Sequence, residues 1–537
     1  MSYTAHEDSF ARDNLPPRDQ WPEFLFELPE LKYAARMNCA AELLDGAQAR
    51  GRGGRVAIRA PDGKCTYAQL LAQANRLANV LVTEMGLVPG NRVLLRGPNN
   101  PMMAACWFAV IKAGGIAVAT MPLLRAKELT DIVNKARVTH ALCDRRLAQE
   151  LEAALPGCPT LKRIRYWYDD APEALEALAA RQPATFRNVD TAADDVALIA
   201  FTSGTTGKPK GTMHFHRDVI ATCDCFPRSC LKAGGNDVFC GTPPIAFTFG
   251  LGGMLCFPLR LGASTVLVER LAPESLLETI QNFRATVCFT APTMFRAMAG
   301  IAKNYDIASL RKCVSAGEAL PDATRQLFKQ ATGIEIIDGI GSTEMAHIFI
   351  SHTPERVRRG ATGYAIPGYR AAVLDDDGKA CPPGVVGRLA VKGPTGCRYL
   401  ADSRQKEYVR NGWNLTGDAY KMDRDGYFYY QARTDDMIVS AGYNIAGPEV
   451  EGALLGHAAV AESAVVGWPD EARGTIVKAF VVLKPGYQKT EALTAELQEH
   501  VKRTIAPYKY PRAIEFLDAL PRTETGKLQR YKLRPQT

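Results

Sequence analysis

Between residues 55 and 340 the sequence alternates between two kinds of segment, and this alternation constrains the fold more than any other feature. Helical stretches separate short runs rich in β-branched residues. The helical stretches include 128–136, 274–283 and 322–330, and the strand-like runs include 264–269, 285–290 and 334–338. Helices that alternate with short apolar strands predict parallel sheets covered by helices on both faces. We therefore expect an α/β fold over this part of the chain.

The chain of 537 residues is too long for a single core and should divide into domains. The α/β pattern lies on both sides of a Pro- and Ala-rich connection near residues 155–190, which predicts two doubly wound α/β lobes. From about residue 360, short strands joined by glycine turns indicate a small β barrel or meander, and an α+β segment follows with a helix around 491–504. We predict a large N-terminal domain over 1–433 and a small C-terminal domain over 434–537.

Composition excludes several classes of function. The net charge of +8 is a mild excess, and no basic run with interleaved aromatic residues argues for nucleic acid. The strongest apolar stretch, 106–120, is interrupted by Lys112 and two glycines, so no membrane partner is expected. Residues 1–17 have no apolar signal-peptide core, and the fourteen cysteines contain no C-x-x-C pair. We expect reduced thiols and a cytoplasmic protein, with the oligomeric state, including a homodimer, left open.

Residues 202–211 read TSGTTGKPKG, a mixture that suits neither a helix nor a strand. The run follows VALIAF (196–201), which predicts a buried strand, and precedes a helix that we expect from about His214. A glycine-rich turn between a strand and a helix presents backbone N–H groups that bind phosphate. A flexible surface linker is the alternative for such a run taken alone.

Spacing excludes the two commonest phosphate loops. A Walker A loop needs G-x-x-x-x-G-K-[ST], but Gly204 and Gly207 are too close and Pro209 follows Lys208. The Rossmann fingerprint is absent as well, because the stretch beginning at Gly339 lacks its third glycine. The loop belongs to another nucleotide-binding design.

Four further motifs occur downstream of this loop. They are SAGEAL (315–320), DGIGSTE (338–344), NLTGD (414–418) with ARTDDMI (432–438), and PRTETGKLQR (521–530). In this order and spacing the motifs resemble those of the adenylate-forming superfamily, which includes acyl- and aryl-CoA synthetases, amino-acid adenylation domains and luciferases. The resemblance covers almost the whole chain. It implies a large N-terminal domain and a small, mobile C-terminal domain.

The resemblance also implies a role for individual residues, with ATP, Mg²⁺ and coenzyme A as cofactor and co-substrates. The residues that would wrap the β- and γ-phosphates are Thr202, Ser203, Gly204, Thr205, Thr206 and Gly207, with Lys210 as a neutralising cation. Those around the adenine would be Gly317, Glu318, Ala319, Asp338 and Gly339. Thr343 would contact the α-phosphate, Glu344 would bind the metal, and Asp418 with Arg433 would hold the ribose. Lys527 matches the lysine that bridges the acid carboxylate and the α-phosphate.

Each of these roles has a physical reason. A carboxylate that attacks a phosphate brings two anions together, and unit charges about 4 Å apart repel by roughly 4 kcal/mol at an effective dielectric constant of 20. Magnesium and a lysine ammonium offset that repulsion. Taken alone, Asp418 reads as a turn residue, Glu344 as a charge at a helix start, and TGK as an exposed turn. Their joint order is what favours the catalytic interpretation.

The superfamily forms an acyl-adenylate and then transfers the acyl group to a thiol, with a domain rotation between the two steps. The hinge matches Asp435, and the loop around Gly442 would line the pantetheine channel in the second step. A glycine suits that loop because it permits close approach of a ligand to the backbone. Two positions depart from the pattern: Ala432 replaces a usual glycine, and Val439 replaces a lysine found in many members.

The acid is indicated by 338–352 and by APYKYPR (506–512), which look most like the benzoate–CoA ligase group. The resemblance implies an acid pocket formed by Phe247, Thr248, Phe249, Gly341, Ala346, His347 and Ile348. Phe249 and Ala346 replace a tyrosine and a leucine common in that group, which leaves room for an ortho substituent and favours 2-aminobenzoate. Phe247, Phe249 and His347 could instead be core residues.

The alternatives to this substrate and this activity are benzoate or another substituted benzoate as the acid, an enzyme that loads a carrier domain, a luciferase-like oxygenase, and a non-catalytic nucleotide-binding regulator. We expect no fused carrier domain, and the stretch around Phe247 has no aspartate for an α-amine.

Overall fold

The computed structural model of the chain describes residues 3–202, 209–440, 443–470, 474–523, 526 and 528–535. A large N-terminal domain contains three sheets, and a small C-terminal α+β domain follows it, as the sequence predicts. The exact boundary at residues 433 and 434 stays a prediction.

A six-stranded sheet forms the first lobe, and its strands are parallel except for the last one. In spatial order the strands are Arg163–Trp167, His140–Asp144, Arg92–Arg96, Ile116–Thr120, Val196–Phe201 and Gly211–Phe215. Alternate residues of a strand point to opposite faces. Val93 and Leu95 pack in one cluster with helices Tyr67–Asn79 and Pro101–Lys112, whereas Leu94 packs with helix Ala126–Ala136. The sheet is therefore covered on both faces.

A nine-stranded sheet forms the second lobe. In spatial order its strands are Tyr364–Ala365, Ile348–Ser351, Ile336–Gly341, Lys312–Ser315, Val287–Thr290, Val238–Gly241, Ser264–Val266, Val56–Ala60 and Gly63–Thr66. The six central strands are parallel, and the strands at both edges pair antiparallel. Val287 and Phe289 face the core shared with the first lobe, while Cys288 faces helices Pro273–Phe283 and Pro292–Ile301. This arrangement places the carboxyl ends of the parallel strands at one edge.

The remaining strands form the smaller sheets. The region predicted as a β barrel or meander is an antiparallel five-stranded sheet of Arg370–Leu374, Val386–Lys392, Val409–Arg410, Trp413–Met422 and Phe428–Arg433. The C-terminal domain contains a two-stranded hairpin, Ile438–Ser440 with Tyr443–Ile445, and a three-stranded sheet of Val460–Asp470, Gly474–Leu483 and Ala513–Leu517. Its helices are Gly447–Leu455 and Glu491–Thr504.

Local sequence explains where several helices begin. The side chain of Asn100 accepts a hydrogen bond from the N–H of Met103, and Pro101 occupies the first turn, where its missing N–H costs nothing. Thr66 and Gln69 form a reciprocal capping box at the start of the preceding helix. The other longer helices of the N-terminal domain are Ala148–Ala154, Leu175–Ala180, His216–Ser229, Phe257–Leu261 and Asp322–Thr332.

Two expectations about connections are wrong. The 202–211 loop does not lead from a strand into a helix, because the buried strand Gly211–Phe215 intervenes and pairs antiparallel with Val196–Phe201. The helix begins at His216 instead of about His214. The region 155–190 is not the boundary between the lobes either, since it contributes strand Arg163–Trp167 to the first sheet and contains helix Leu175–Ala180. The chain passes from the first sheet to the second along helix His216–Ser229.

The two domains contact each other through described side chains. Arg296 of the N-terminal domain donates hydrogen bonds to the carbonyl oxygens of Leu455 and Val460 in the C-terminal domain, at 3.2 and 3.4 Å. Among the described residues, no helix has the length and apolar character needed to cross a lipid bilayer.

Candidate active site

Asp338 lies in the middle of strand Ile336–Gly341, opposite Ser315 at the end of the neighbouring parallel strand, and is almost fully buried. Its backbone is fixed by the neighbouring strand, because its N–H donates to Nε2 of His352 at 3.1 Å and its carbonyl accepts from the hydroxyl of Ser351 at 2.6 Å. Burial raises the pKa of the Asp338 carboxyl to about 8. A buried acceptor of this kind fits an exocyclic amine of a base.

Asp418 and Arg433 form a second element of the site. They are directly opposed on the antiparallel strands Trp413–Met422 and Phe428–Arg433. Nη1 of Arg433 donates to Oδ1 of Asp418 at 2.9 Å and to the carbonyl oxygen of Thr416 at 3.1 Å. Each carboxylate oxygen has two lone pairs, so Asp418 keeps the capacity to accept from a hydroxyl group as well.

Glu344 is buried just after the strand that carries Asp338. Its Oε1 accepts from the hydroxyl of Tyr399 at 2.5 Å, and its Oε2 has no hydrogen-bond partner among the described residues. The ammonium of Lys210 lies 5.3 Å from the centroid of the Tyr399 ring. Mg²⁺ takes oxygen ligands, and a carboxylate with one unused oxygen beside the end of the phosphate loop fits that ion.

Electrostatic interactions indicate that these acidic residues lie near one another. Burial is the main cause that raises the pKa of Asp418, Arg433 opposes it, and the nearby Glu344 carboxylate adds to the increase. The pKa of Tyr420 is raised by its burial and also by both Asp418 and Asp338. Three acidic residues from two motifs therefore lie close together around buried tyrosines.

The phosphate loop is described only at its two ends. The N–H of Thr202 donates to the carbonyl oxygen of Lys210 at 3.0 Å, so the loop is closed at its base. Ser203, Gly204, Thr205, Thr206 and Gly207 lie outside the described residues. The backbone of Thr343 is held by His214, whose Nε2 donates to the Thr343 carbonyl oxygen at 2.7 Å.

The adenine-flanking segment follows strand Lys312–Ser315. Gly317 has φ +92, a backbone conformation that favours glycine, and Glu318 accepts from Arg522 of the C-terminal domain at 3.3 Å. Ala319 is exposed beside them. This contact brings the C-terminal loop 521–529 against the nucleotide segment. Lys527 and Gly442 lie outside the described residues, and Asp435 is in the turn Thr434–Asp436, although its side chain is not described.

Two narrow cavities adjoin near the predicted acid pocket. The first is lined by Leu198, His214, Val219, Thr222, Thr248, Leu251, Gly252, Cys256 and Ala346. The second is lined by Phe247 and Thr248 together with Trp107, Ala117, Ala119, Leu198, Ile199, Ala200, Ile245, Ala246 and Leu251. Ala346 has φ +64, an unusual conformation for a residue with a Cβ atom, and such strain is concentrated at functional sites. The structure thus places Phe247, Thr248 and Ala346 at a cavity.

The other predicted pocket residues are placed differently. Phe249 and His347 pack in an aromatic cluster with Phe257 and Phe289, and the His347 ring centroid lies 4.4 Å from that of Phe257. Burial lowers the pKa of His347 to about 3, so the ring is neutral. Ile348 pairs with Gly341 across the strands. Direct contact with the acid stays a prediction for Phe249, Gly341, His347 and Ile348. For His347 the core interpretation is favoured.

Two residues of the site are not apparent from the sequence. Tyr399, whose hydroxyl donates to Glu344, lies outside the recognised motifs. His214 stands in the first cavity and holds Thr343, yet it follows the phosphate loop within a strand that the sequence did not indicate. The only available signal was its position four residues after Lys210.

The raised pKa of Asp338 leads to a prediction about stability. The folded protein keeps the proton up to about pH 8, whereas the unfolded chain loses it near 3.8. Protonated Asp338 contributes fully to the free energy of unfolding below the unfolded-state pKa, and this contribution is lost as the pH rises through the folded-state pKa. The free energy of unfolding falls by up to about 1.4 kcal/mol per pH unit over this range. We expect urea unfolding from pH 5 to 9 to show that the free-energy advantage of the wild type over Asp338→Asn falls up to pH 8 and then levels. If the free energies of unfolding of the wild type and Asp338→Asn changed in parallel with pH, the prediction would be wrong. The variant Asp377→Asn, at an exposed position, is the control.

Comparison with known proteins agrees with this geometry. The AMP-binding enzyme family matches residues 46–399, and its C-terminal domain matches residues 449–527. The benzoate–CoA ligase of Thauera aromatica is 37% identical over 515 residues, which cover 94% of this chain and 97% of that protein. The 4-hydroxybenzoate–CoA/benzoate–CoA ligase of Rhodopseudomonas palustris is 33% identical and covers 93% of this chain and 94% of that one.

Solved structures give the same result. The anthranilate CoA ligase AuaEII in complex with anthranoyl-AMP superposes with a TM-score of 0.90 at 34% identity, covering 94% of this chain and 98% of that one. A benzoate CoA ligase from Burkholderia xenovorans LB400 superposes with a TM-score of 0.85 at 32% identity, covering 93% of this chain and 100% of that one. The fold is that of an adenylate-forming enzyme. The chain belongs to the AMP-binding enzyme family, in the benzoate–CoA ligase group.

Proposed function

We propose that the chain is an ATP-dependent, AMP-forming aryl-CoA ligase that prefers 2-aminobenzoate. The observation that carries the ligase assignment is the convergence of Asp338, Glu344 and Asp418 with Glu318, which contacts the C-terminal loop. This proximity of residues from four motifs supports a single nucleotide site. The cytoplasm remains the expected compartment, and all fourteen cysteines are free thiols.

The proposed reaction has two steps. An oxygen of the acid carboxylate bonds to the α-phosphorus of ATP while the bond to diphosphate breaks. The sulfur of coenzyme A then bonds to the acyl carbon, the thiol proton passes to solvent, and the bond between the acyl carbon and the phosphate oxygen breaks, which releases AMP. In the first step Lys527 would neutralise the approaching carboxylate, and Asp418 would fix the ribose. When bound, Mg²⁺ on Glu344 would supply charge neutralisation to the phosphates.

The 2-aminobenzoate preference rests on the cavity and on the relatives. Ala346 presents only a methyl group to the first cavity, where Thr248 and His214 provide polar atoms. AuaEII, an anthranilate CoA ligase, superposes closely on this chain. Benzoate is the second candidate, favoured by the 37% identity to the Thauera enzyme.

Diphosphate release across a panel of acids, with and without coenzyme A, tests the assignment. We expect 2-aminobenzoate and benzoate to be used, with a preference for 2-aminobenzoate of about tenfold, because one substituent is worth only about 1–3 kcal/mol of discrimination. Aliphatic acids should be used least. A preference for aliphatic acids would contradict the aryl pocket, and turnover only with a carrier protein would indicate the carrier-loading alternative.

A further inference from the structure

The C-terminal loop that carries Lys527 is closed at its base by described residues. The N–H of Gln529 donates to the carbonyl oxygen of Pro521 at 2.9 Å, and Arg522 pairs with Leu528 in an isolated antiparallel bridge. The loop therefore leaves and rejoins the domain at nearly the same point. A further contact is needed to fix its tip.

Arg522 supplies that contact within the C-terminal domain. Its Nη1 donates to the carbonyl oxygen of Gly526 at 2.7 Å, and its Nη2 donates to Oε2 of Glu462 at 2.6 Å. Glu462 lies on strand Val460–Asp470 of the C-terminal sheet. The guanidinium thus connects the sheet to the residue that precedes Lys527.

The same guanidinium also reaches the N-terminal domain. Nη1 of Arg522 lies 3.3 Å from Oε1 of Glu318, in the segment next to the predicted adenine position. The two side chains are 26% and 22% exposed, so this ion pair is shielded from solvent more than most surface pairs. The planar fork of arginine can serve two carboxylates and a carbonyl at once, which an ammonium group does less well.

We propose that Arg522 is a positioning residue for acyl-adenylate formation, an inference that rests on the proposed function. Its bonds to Glu462 and Gly526 lie within one domain and persist when that domain rotates. Its bond to Glu318 joins two domains and exists only while the loop faces the nucleotide. Arg522 therefore stabilises the pose of the first step and plays no part in thioester formation.

The two half-reactions measured separately test this proposal. For Arg522→Ala we expect acyl-adenylate formation to slow by about tenfold, the effect of losing a shielded charge pair. Thioester formation from supplied acyl-adenylate should stay within about twofold, and Arg522→Lys should recover part of the first rate. Lys489→Ala removes a positive charge paired with Asp518 elsewhere in the C-terminal domain and should change neither rate.

A double-mutant cycle separates the contact between domains from the shape of the loop. If Arg522 acts through Glu318, adding Arg522→Ala to a Glu318→Gln enzyme should slow acyl-adenylate formation only slightly further. This comparison holds even if Glu318→Gln itself weakens ATP binding. An equal cost in both backgrounds, or an equal loss of both half-reactions, would overturn the proposal. Failure of the proposed function is distinguishable, because the wild type would then form neither acyl-adenylate nor thioester.

Discussion

Replacing Lys527 with alanine is expected to slow acyl-adenylate formation by at least about 10³-fold, the upper range for loss of one group that stabilises transition-state charge. The acid carboxylate and the α-phosphate are both anionic, and the lysine is the cation that would lie between them. The loop that carries Lys527 is held against the nucleotide segment by the contact between Arg522 and Glu318. We expect the ammonium of Lys527 to act in the pose that this contact stabilises.

Thioester formation from a supplied acyl-adenylate should be retained in Lys527→Ala within about twofold, because no carboxylate approaches a phosphate in that step. Rapid-quench assays of each half-reaction measure both effects, and Lys489→Ala is the matched control within the same domain. Equal loss of both half-reactions would show that Lys527 serves binding or folding instead of adenylation.

The second large effect is expected at Glu344. Glu344→Gln keeps the shape of the side chain and an oxygen that can accept from Tyr399, but it removes the charge that suits a divalent cation. We expect acyl-adenylate formation to fall by about 10²-fold, with partial recovery at high Mg²⁺. Initial rates over a Mg²⁺ titration give the measurement.

Two further variants make the Glu344 prediction specific. Tyr399→Phe leaves the carboxylate charged but removes the hydroxyl that orients it, so we expect a smaller loss of about tenfold. Glu355→Gln neutralises an exposed carboxylate, 70% exposed, and should have no effect. A Glu344→Gln enzyme with an unchanged Mg²⁺ dependence would exclude the metal role.

The sequence predicted the local elements of the nucleotide-binding region well. Helices at Ala126–Ala136, Pro273–Phe283 and Asp322–Thr332 and the strand Val287–Thr290 lie where their patterns indicate. Each is specified by its own residues, through apolar periodicity and flanking breakers. The adenylate-forming fold and the family followed from the motifs.

The pairing of strands that are distant in the chain could not be predicted from local sequence patterns. Strands Val56–Ala60 and Gly63–Thr66 join the second sheet, although they precede the whole of the first one. Gly211–Phe215 is short and follows a polar loop, so its pairing with Val196–Phe201 decides its structure more than its composition does. The predicted helix start near His214 was wrong for this reason.

The same limit applies to the site. Motifs identified Asp338, Glu344 and the Asp418–Arg433 pair, but the partners of Glu344 and Glu318 come from distant segments. Tyr399 is 55 residues from Glu344, and Arg522 is 204 residues from Glu318. Such contacts are set by the packing of sheets and domains, which no local pattern specifies.

The central claim is that the acid carboxylate attacks the α-phosphorus of ATP. A direct test uses benzoate or 2-aminobenzoate labelled with oxygen-18 in both carboxylate positions, together with ATP and coenzyme A. Mass spectrometry of the nucleotide product should find one labelled oxygen in AMP and none in diphosphate. Unlabelled AMP, or label in diphosphate or phosphate, would contradict the account.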